Sequence, residues 1–586
     1  MAKPRGSIYV AEISRRHKSK VYTYYLLRCS YREGGKVRQQ TLANLSHLPL
    51  DAIALLRASL RGEKFLPDHQ AFEIVATRRH GDVAAVSAMV SRLGLDRLLS
   101  TRPCAARDLV VAMIVARVVE PHTKLATTRW WANTSLVSNE TVEEATDDDL
   151  YAAMDWLVQE QPRIERALAR RHLREGALVL YDLSSSYVEG SHCPLADFGH
   201  NRDGKRGKQQ INYGLLLDAE GRPISVQVYR GNTGDPATVA DQCAKLQKQY
   251  RLSHVLLAGD RGMLTSARIR DLQRLGGIDW ISCLRSADIQ KLASRGVVAP
   301  SLFDQRDLVE ITAPEFPGER LVVCRNPLLA EDRARTRREL LAVTEERLLR
   351  IARRVEAGRL KDRDKILAAV TRCLNRSKVA KHFFWRLAQG SFSFERCGEQ
   401  IAAEAALDGI YIVRTNVPAT DLPAPSVVTS YKALSHAEQA FRTLKSLDLR
   451  IRPIHHWAEG RVRAHIFLCM LAYYVEWHLR EVWAPYLFED EHPGRHEGGS
   501  PVAPALRSPE ALEKARTKRT PAGETVHSFR TLLATLGTVA RNAVRLPAHP
   551  ELAPFHIVTT PDPLQHELLR LAGVDVAADR RQKDQA

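Results

Sequence analysis

The sequence lacks a hydrophobic run long enough to span a bilayer. Its most apolar stretch, IFLCMLAYYV at 466–475, falls short of the roughly 20 residues a membrane helix needs and runs into Glu476 and His478. The N-terminal MAKPRGSIYV has no apolar core of the kind a signal peptide carries. Cysteines stand at 29, 104, 193, 243, 283, 324, 373, 397 and 469, an odd number, scattered and never paired as CxxC. That pattern excludes a disulfide framework and a cysteine-based zinc site, and it suits a reducing compartment. No internal repeat is present. Together these absences predict a soluble, cytoplasmic protein that touches no membrane.

What the chain has is length and positive charge. Its 586 residues predict two to four domains, and 44% hydrophobic with 26% charged residues is ordinary for a globular protein. Against 68 Asp+Glu stand 86 Lys+Arg, a formal charge of +18. A large basic protein with both signs abundant points to an extended polyanion, most simply nucleic acid.

Residues 1–50 read as a basic β meander. SKVYTYYLLRCSYR is rich in β-branched and aromatic residues, EGGK turns, and VRQQTLANL returns. This piece is a candidate DNA-binding element, with a solvated sheet face as the equal alternative. Residues 51–175 read as helical, a region for DNA binding or dimerisation, with AARDLVVAMIVARVVEP its clearest helix and NETVEEATDDDLYAAMDWL one with an acidic start. From 176 to 285 the order is strand, strand, strand, helix, strand, helix, strand. GALVLYDLSSSYVE opens it as a buried strand, QINYGLLLD and PISVQVYRG form a hairpin, and HVLLAGDRG is a second short buried strand. Asp235 and Pro236 read as the N-cap and first position of the helix DPATVADQCAKLQKQY. Residues 286–408, with strand-like DLVEITA and RLVVCR and then charged helices, are too long for a loop and read as an inserted domain. Strand character resumes in GIYIVRTN, so 409–483 completes the mixed α/β core. A linker at 484–525 and a helical C-terminal region at 526–586 follow.

Three carboxylates stand out. Asp182 ends the apolar run LVLYD and Asp260 follows VLLAG. A carboxylate there is costly unless protonated, bonded or metal-bound. Singly each has a bland account: Asp182 caps a turn through Ser184–Ser186, and Asp260 pairs with Arg261. If the first and fourth strands lie side by side, both carboxylates reach the same strand ends. The third is Glu438, in YKALSHAEQAFRTLKSL. At about 100° per residue Tyr431, Glu438, Arg442 and Lys445 fall within roughly 60° of one another, beside an apolar stripe of Ala437, Ala440, Phe441, Leu444 and Leu447. The bland account is a surface Glu438–Arg442 ion pair. The functional account makes Asp182, Asp260 and Glu438 hard oxygen donors for two Mg²⁺ or Mn²⁺ ions, with Tyr431, Arg442 and Lys445 on phosphates. HNRDGKRGKQQ at 200–210 is a basic loop after the first strand, and RIRPIHHW offers Arg450 and Arg452 for a DNA backbone.

YDLSSSYVEG, GLLLDAEGRPISVQVYRGNTGD, LLAGDRGMLTSARI and YKALSHAEQAFRTLKSLDLRIRPIHHWAEGRVRAHIFLCMLAYYVEWHLR together resemble the bacterial insertion-sequence DDE transposases. The likeness is to the branch whose third motif reads Y-x2-R-x3-E-x6-K. It implies a ribonuclease H-like mixed-sheet catalytic core with a large insertion domain between the second Asp and the Glu. It also implies cleavage at insertion-sequence ends and transfer of the 3′-hydroxyl to target DNA. On it Asp182, Asp260 and Glu438 are the catalytic metal ligands, while Tyr431 and Lys445 contact phosphate. Arg442, Arg261, Arg450 and Arg452 are further candidate DNA contacts. The motif's arginine position is Leu434 here, and Arg442 is the candidate replacement. Holding two ends at once implies a homodimer or higher oligomer on DNA, in a bacterial cytoplasm at the nucleoid. The alternatives are a related nuclease without strand transfer and a domesticated, inactive DNA-binding protein. The presence of all three acids argues against the latter.

Overall fold

The computed structural model describes all residues except 1–5, 18–19, 64–70, 139, 299–302, 304–306, 389, 493–501, 503–506, 548 and 576–586. The described residues form two compact units, one within 6–77 and 542–557, the other within 78–541 and 558–575.

The smaller unit carries an antiparallel meander of β1 (Ser7–His17), β2 (Lys20–Glu33) and β3 (Lys36–Asn44), turned at Gly34 and Gly35, both with positive φ. Helix α1 (Leu50–Leu60) follows, with Arg57 pairing Glu12 at 3.0 Å. Most residues of a second three-stranded sheet belong to this unit, in the order β16 (Phe555–Val558), β15 (Ala540–Arg545), β4 (Glu73–Arg79). The spans 51–175 and 526–586, expected to be helical, therefore also supply strands.

The larger unit is built on an eight-stranded mixed sheet. Its strands are β5 (Leu178–Tyr187), β6 (Gln210–Asp218), β7 (Pro223–Arg230), β8 (Val255–Gly259), β9 (Ile278–Cys283), β10 (Leu308–Ile311), β11 (Arg320–Arg325) and β14 (Ile410–Thr415). The order is β10-β11-β14-β9-β8-β5-β6-β7. β5, β8 and β9 run parallel; every other neighbouring pair is antiparallel. The parallel strands are continuous apolar runs because both faces of the sheet are covered. On either side of β8 lie α5 (Asp235–Ala244) and α6 (Ser266–Leu275) in sequence.

Helices α2 (Gly81–Arg92), α3 (Ala105–Val119) and α4 (Asp147–His172) share one hydrophobic core with this sheet, so the stretch read as a separate helical region is part of the same body. α3 is buried along nearly its whole length, which demands neighbours on every side. The acidic segment before α4 is broken: a short helix ends at Glu143, and Thr146 starts α4 with a reciprocal capping box to Asp149.

Between β9 and β14, β10 and β11 extend the main sheet. RLVVCR is buried on both faces, so it can only be an interior strand. A separate hydrophobic cluster then forms from α7 (Pro327–Glu356), α8 (Arg363–Ser377) and the hairpin of β12 (Phe383–Ala388) and β13 (Ser391–Arg396).

The stretch after β14 holds α9 (Ala424–Lys432), α10 (Ser435–Lys445) and α11 (Glu459–Trp483). α11 contains the apolar stretch at 466–475 and is buried nearly all round as a core helix. Among the described residues no helix is long and apolar enough to cross a membrane. The span 484–525, expected to be a linker, carries a helix at Pro509–Thr517 capped by Ser508, and Lys514 is buried against Ala484 and Glu491. Composition misled there because Pro and Gly flank an element that packs.

Candidate active site

Asp182 sits within β5 and Asp260 directly after β8. In the parallel register Tyr181 stands opposite Gly259, so the next position on each chain sets Asp182 beside Asp260. Adjacent strands are about 4.8 Å apart, which makes the two carboxylates neighbours. Asp182 Oδ1 accepts from the Leu183 amide at 2.8 Å, and Asp260 Oδ2 from the Gly262 amide at 3.2 Å. Asp260 makes no ion pair with Arg261, and the turn-capping account of Asp182 is absent too.

Glu438 arrives on α10. Ala437, Ala440, Phe441 and Leu444 are buried, and Phe441 packs edge-on against Tyr213 of β6 with centroids 5.8 Å apart. Leu447, read into the same stripe, is 70% exposed, because α10 ends at Lys445. The docked face leaves Glu438 exposed, without an ion pair to Arg442 or any other described residue. The surface-pair account of this helix therefore fails.

Asp182, Asp260 and Glu438 line one cleft of about 720 Å³. Burial first, then the nearby charges of Asp260 and Glu438, push the Asp182 carboxyl up to about 7, while the Leu183 amide and Arg202 act against the rise. Among the described residues no three His, Cys, Asp or Glu side chains stand close enough to hold one ion. The triad thus shares a cleft without forming a ready-made ligand cluster.

The expected helical face of Tyr431, Glu438, Arg442 and Lys445 is not continuous. Tightened bonds from the Leu434 amide to Tyr431 and from the His436 amide to Ala433 break it between α9 and α10. Tyr431 still lines the cleft, from α9, as does Leu434. Burial raises the Tyr431 hydroxyl pKa well above the usual tyrosine range, so it stays a donor. Arg442 is exposed and does not line the cleft.

Lys445 turns away to Asp203, its Nζ donating to Oδ1 at 3.0 Å, and Arg452 donates to the same oxygen. The Asp203 side chain is 1% exposed and also accepts from the Tyr187 amide at 3.1 Å. Lys445 and Arg452 thus both pair with Asp203, in a hub that ties down the 200–210 loop, with Lys445 largely buried and Arg452 32% exposed. Arg450 is exposed, in a left-handed turn with φ of 44°. Arg261 is exposed and faces an adjoining groove with Ser286, Arg333 and Lys381.

Arg202, Asp235 and Lys432 are charged cleft residues that the sequence reading did not single out for the site. Arg202, inside the basic loop, lines the cleft with the triad. Asp235 does so as well. It is the first residue of α5 and not its cap, which is Gly234, and its carboxylate takes a 2.6 Å bond from Arg202. The sequence signalled a basic loop but not which of its cations turns inward.

Residues 176–475 match the family model for the transposase DDE domain, and residues 10–70 match the IS1634 family transposase N-terminal domain. No curated protein matches the sequence. Among solved structures, a piggyBac transposase synaptic complex with hairpin DNA is 9% identical, covering 78% of this chain and 76% of its own, with a TM-score of 0.32. A Mos1 transposase paired-end complex with left transposon end is 13% identical, covering 44% of this chain and 74% of its own, with a TM-score of 0.14. Likenesses of that depth carry no argument about the site. The family model spans about half of the chain and contains all three carboxylates, and on that match the protein belongs to the insertion-sequence DDE transposases.

Proposed function

We propose that this transposase cuts the ends of an insertion sequence and joins the freed 3′-hydroxyl to target DNA, with Asp182, Asp260 and Glu438 as its catalytic carboxylates. The carrying observation is the β5–β8 register, which makes Asp182 and Asp260 neighbours in the cleft that α10 supplies with Glu438. The order β7-β6-β5-β8-β9, antiparallel for three strands and then parallel, supports a ribonuclease H-like core. The separate cluster of α7, α8 and the β12-β13 hairpin supports an insertion domain between Asp260 and Glu438.

The donor chemistry fits two Mg²⁺ or Mn²⁺ ions, since three hard oxygen donors share one cleft, where burial and the charges of Asp260 and Glu438 raise the cost of ionising Asp182, and a divalent cation relieves that cost. Asp182, Asp260 and Glu438 would hold them. When bound, the ions supply activation of the attacking oxygen and stabilisation of the leaving one. Hydrolysis forms a bond from water oxygen to phosphorus and breaks the bond from phosphorus to the 3′-oxygen. That oxygen departs with the electron pair and takes up a proton. In joining, the 3′-hydroxyl oxygen bonds to a target phosphorus and gives up its proton, while the target's own phosphorus–3′-oxygen bond breaks and that oxygen departs with the electron pair and takes up a proton. Tyr431, held protonated, donates a hydrogen bond toward a phosphate oxygen. Arg442, Arg450 and Arg261 are exposed contacts for the DNA backbone, and the basic meander contributes to binding the ends. The reaction needs two ends together, hence an oligomer on DNA.

The test is Mg²⁺-dependent cleavage of a duplex carrying the element's terminal inverted repeat. Asp182→Asn, Asp260→Asn and Glu438→Gln are each expected to bind this duplex and to cut it slower by about 10²–10³-fold or more. Cleavage by any of the three at the wild-type rate removes that residue from the site. Strand-transfer products on a second duplex separate a transposase from a nuclease.

A further inference from the structure

We propose that Arg202 is the guanidinium that binds the scissile phosphate in this cleft, in the role that the third motif leaves vacant at Leu434; the inference rests on the transposase reading above. Leu434 lines the cleft but brings no charge, and Arg442 lies outside it. Lys445 and Arg452 are held by Asp203. Lys432 lines the cleft on the side of Cys324. Arg202 stands among the carboxylates themselves, close enough for its charge to be felt by Asp182.

The loop that carries Arg202 is built to hold it. Its amide donates to Ser185 Oγ at 3.3 Å, on the strand of Asp182. The next residue is the Asp203 hub, tied to β5 through the Tyr187 amide and to the end of α10 through Lys445. The Arg202 side chain is 19% exposed, and its Nη2 donates to Asp235 Oδ1 at 2.6 Å. Its Nη1 is buried and has no hydrogen-bond partner among the described residues. A guanidinium with Nη2 held by a carboxylate and Nη1 buried and unpaired among the described residues is a half-used fork. Arginine's planar donors match two oxygens of a phosphate, and charge on the equatorial oxygens is what an in-line displacement must stabilise. Asp235 is then a positioning residue, acting through Arg202.

The experiment uses the full chain and the inverted-repeat duplex, measuring binding, melting temperature and single-turnover cleavage for wild type, Arg202→Ala, Arg202→Lys and Asp182→Asn. Arg202→Ala is expected to bind within about 3-fold of wild type and to cut about 10²–10³-fold slower. Arg202→Lys decides between the fork and a merely structural ion pair. Lysine keeps the charge beside Asp235 but loses the planar pair of donors, so it should melt with wild type and still cut at least about 10-fold slower. If Arg202→Lys cuts at the wild-type rate, Arg202 serves only to pair Asp235 and the inference falls. If Arg202→Ala itself cuts like wild type while Asp182→Asn is dead, Arg202 is excluded and the cleft reading stands. Cleavage by Asp182→Asn at the wild-type rate instead sinks the cleft reading, and this inference with it.

Discussion

Replacing Glu476 by glutamine should stabilise the protein at neutral and alkaline pH, although glutamate forms an ion pair there. Glu476 lies on α11 with 0% exposure. Its Oε1 accepts from Arg480 Nε at 2.8 Å, while Oε2 has no partner among the described residues. Burial pushes its carboxyl up to about 7; Arg480 opposes the rise and the nearby charge of Asp448 adds to it. The folded protein therefore keeps this proton up to about pH 7, whereas the unfolded chain releases it near 4.5. Between those values folding takes up a proton, so stability falls as pH rises. The shift corresponds to about 3 kcal/mol, as an order of magnitude. Glutamine mimics the protonated form, and Arg480 keeps Glu489 at 2.8 Å and Asp448 at 3.3 Å. Urea unfolding at several pH values reads the outcome. Wild-type stability, taken relative to Glu476→Gln, should rise by about 3 kcal/mol as pH is lowered from about 8 to about 4.5. Parallel curves would refute the claim that burial outweighs the ion pair, and would weaken the same argument for Asp182. Removing the other partner is a different perturbation. Arg480→Ala leaves Glu476 buried without its paired cation and should cost about 3–5 kcal/mol above about pH 7, where the carboxyl is ionised.

Two further outcomes follow from the architecture around the cleft. Asp203→Ala leaves Lys445, 12% exposed, facing Arg452 with no anion between them; it should cost about 3–5 kcal/mol. It should also free the 200–210 loop, so that trypsin cuts faster after the exposed Lys205 and Arg206. Unchanged proteolysis would mean that the hub does not hold the loop. Gly214→Ala places a methyl group against the ring and hydroxyl of Tyr181, the fully buried neighbour of Asp182. An overpacked site of this kind costs about 1–3 kcal/mol, checked by urea unfolding, and an unchanged midpoint would show that Tyr181 yields.

The family resemblance was carried by short motifs, and the matches at 176–475 and 10–70 bear it out. The strand and helix order of 176–285 was legible for a local reason: buried parallel strands are unbroken apolar runs, and turns carry Gly and Pro. What stayed hidden depended on partners distant in sequence. The continuous helix drawn from Tyr431 to Leu447 is broken at Leu434, and no periodicity marks that break. RLVVCR looked like part of an inserted domain and is an interior strand of the main sheet, since strand propensity says nothing of which strand lies alongside.

The sequence by itself determined the composition of the site: two acids at the ends of apolar runs, a third on an amphipathic helix, and a basic loop between. Only the tertiary structure decided their relations. The parallel register made Asp182 and Asp260 neighbours, and the docking of Phe441 on Tyr213 brought Glu438 to them. Burial of Asp203 drew Lys445 and Arg452 out of the cleft and left Arg202 inside it. A charge pattern along a chain lists which ions are present; which of them pair depends on distances and burial that exist only once the chain has folded.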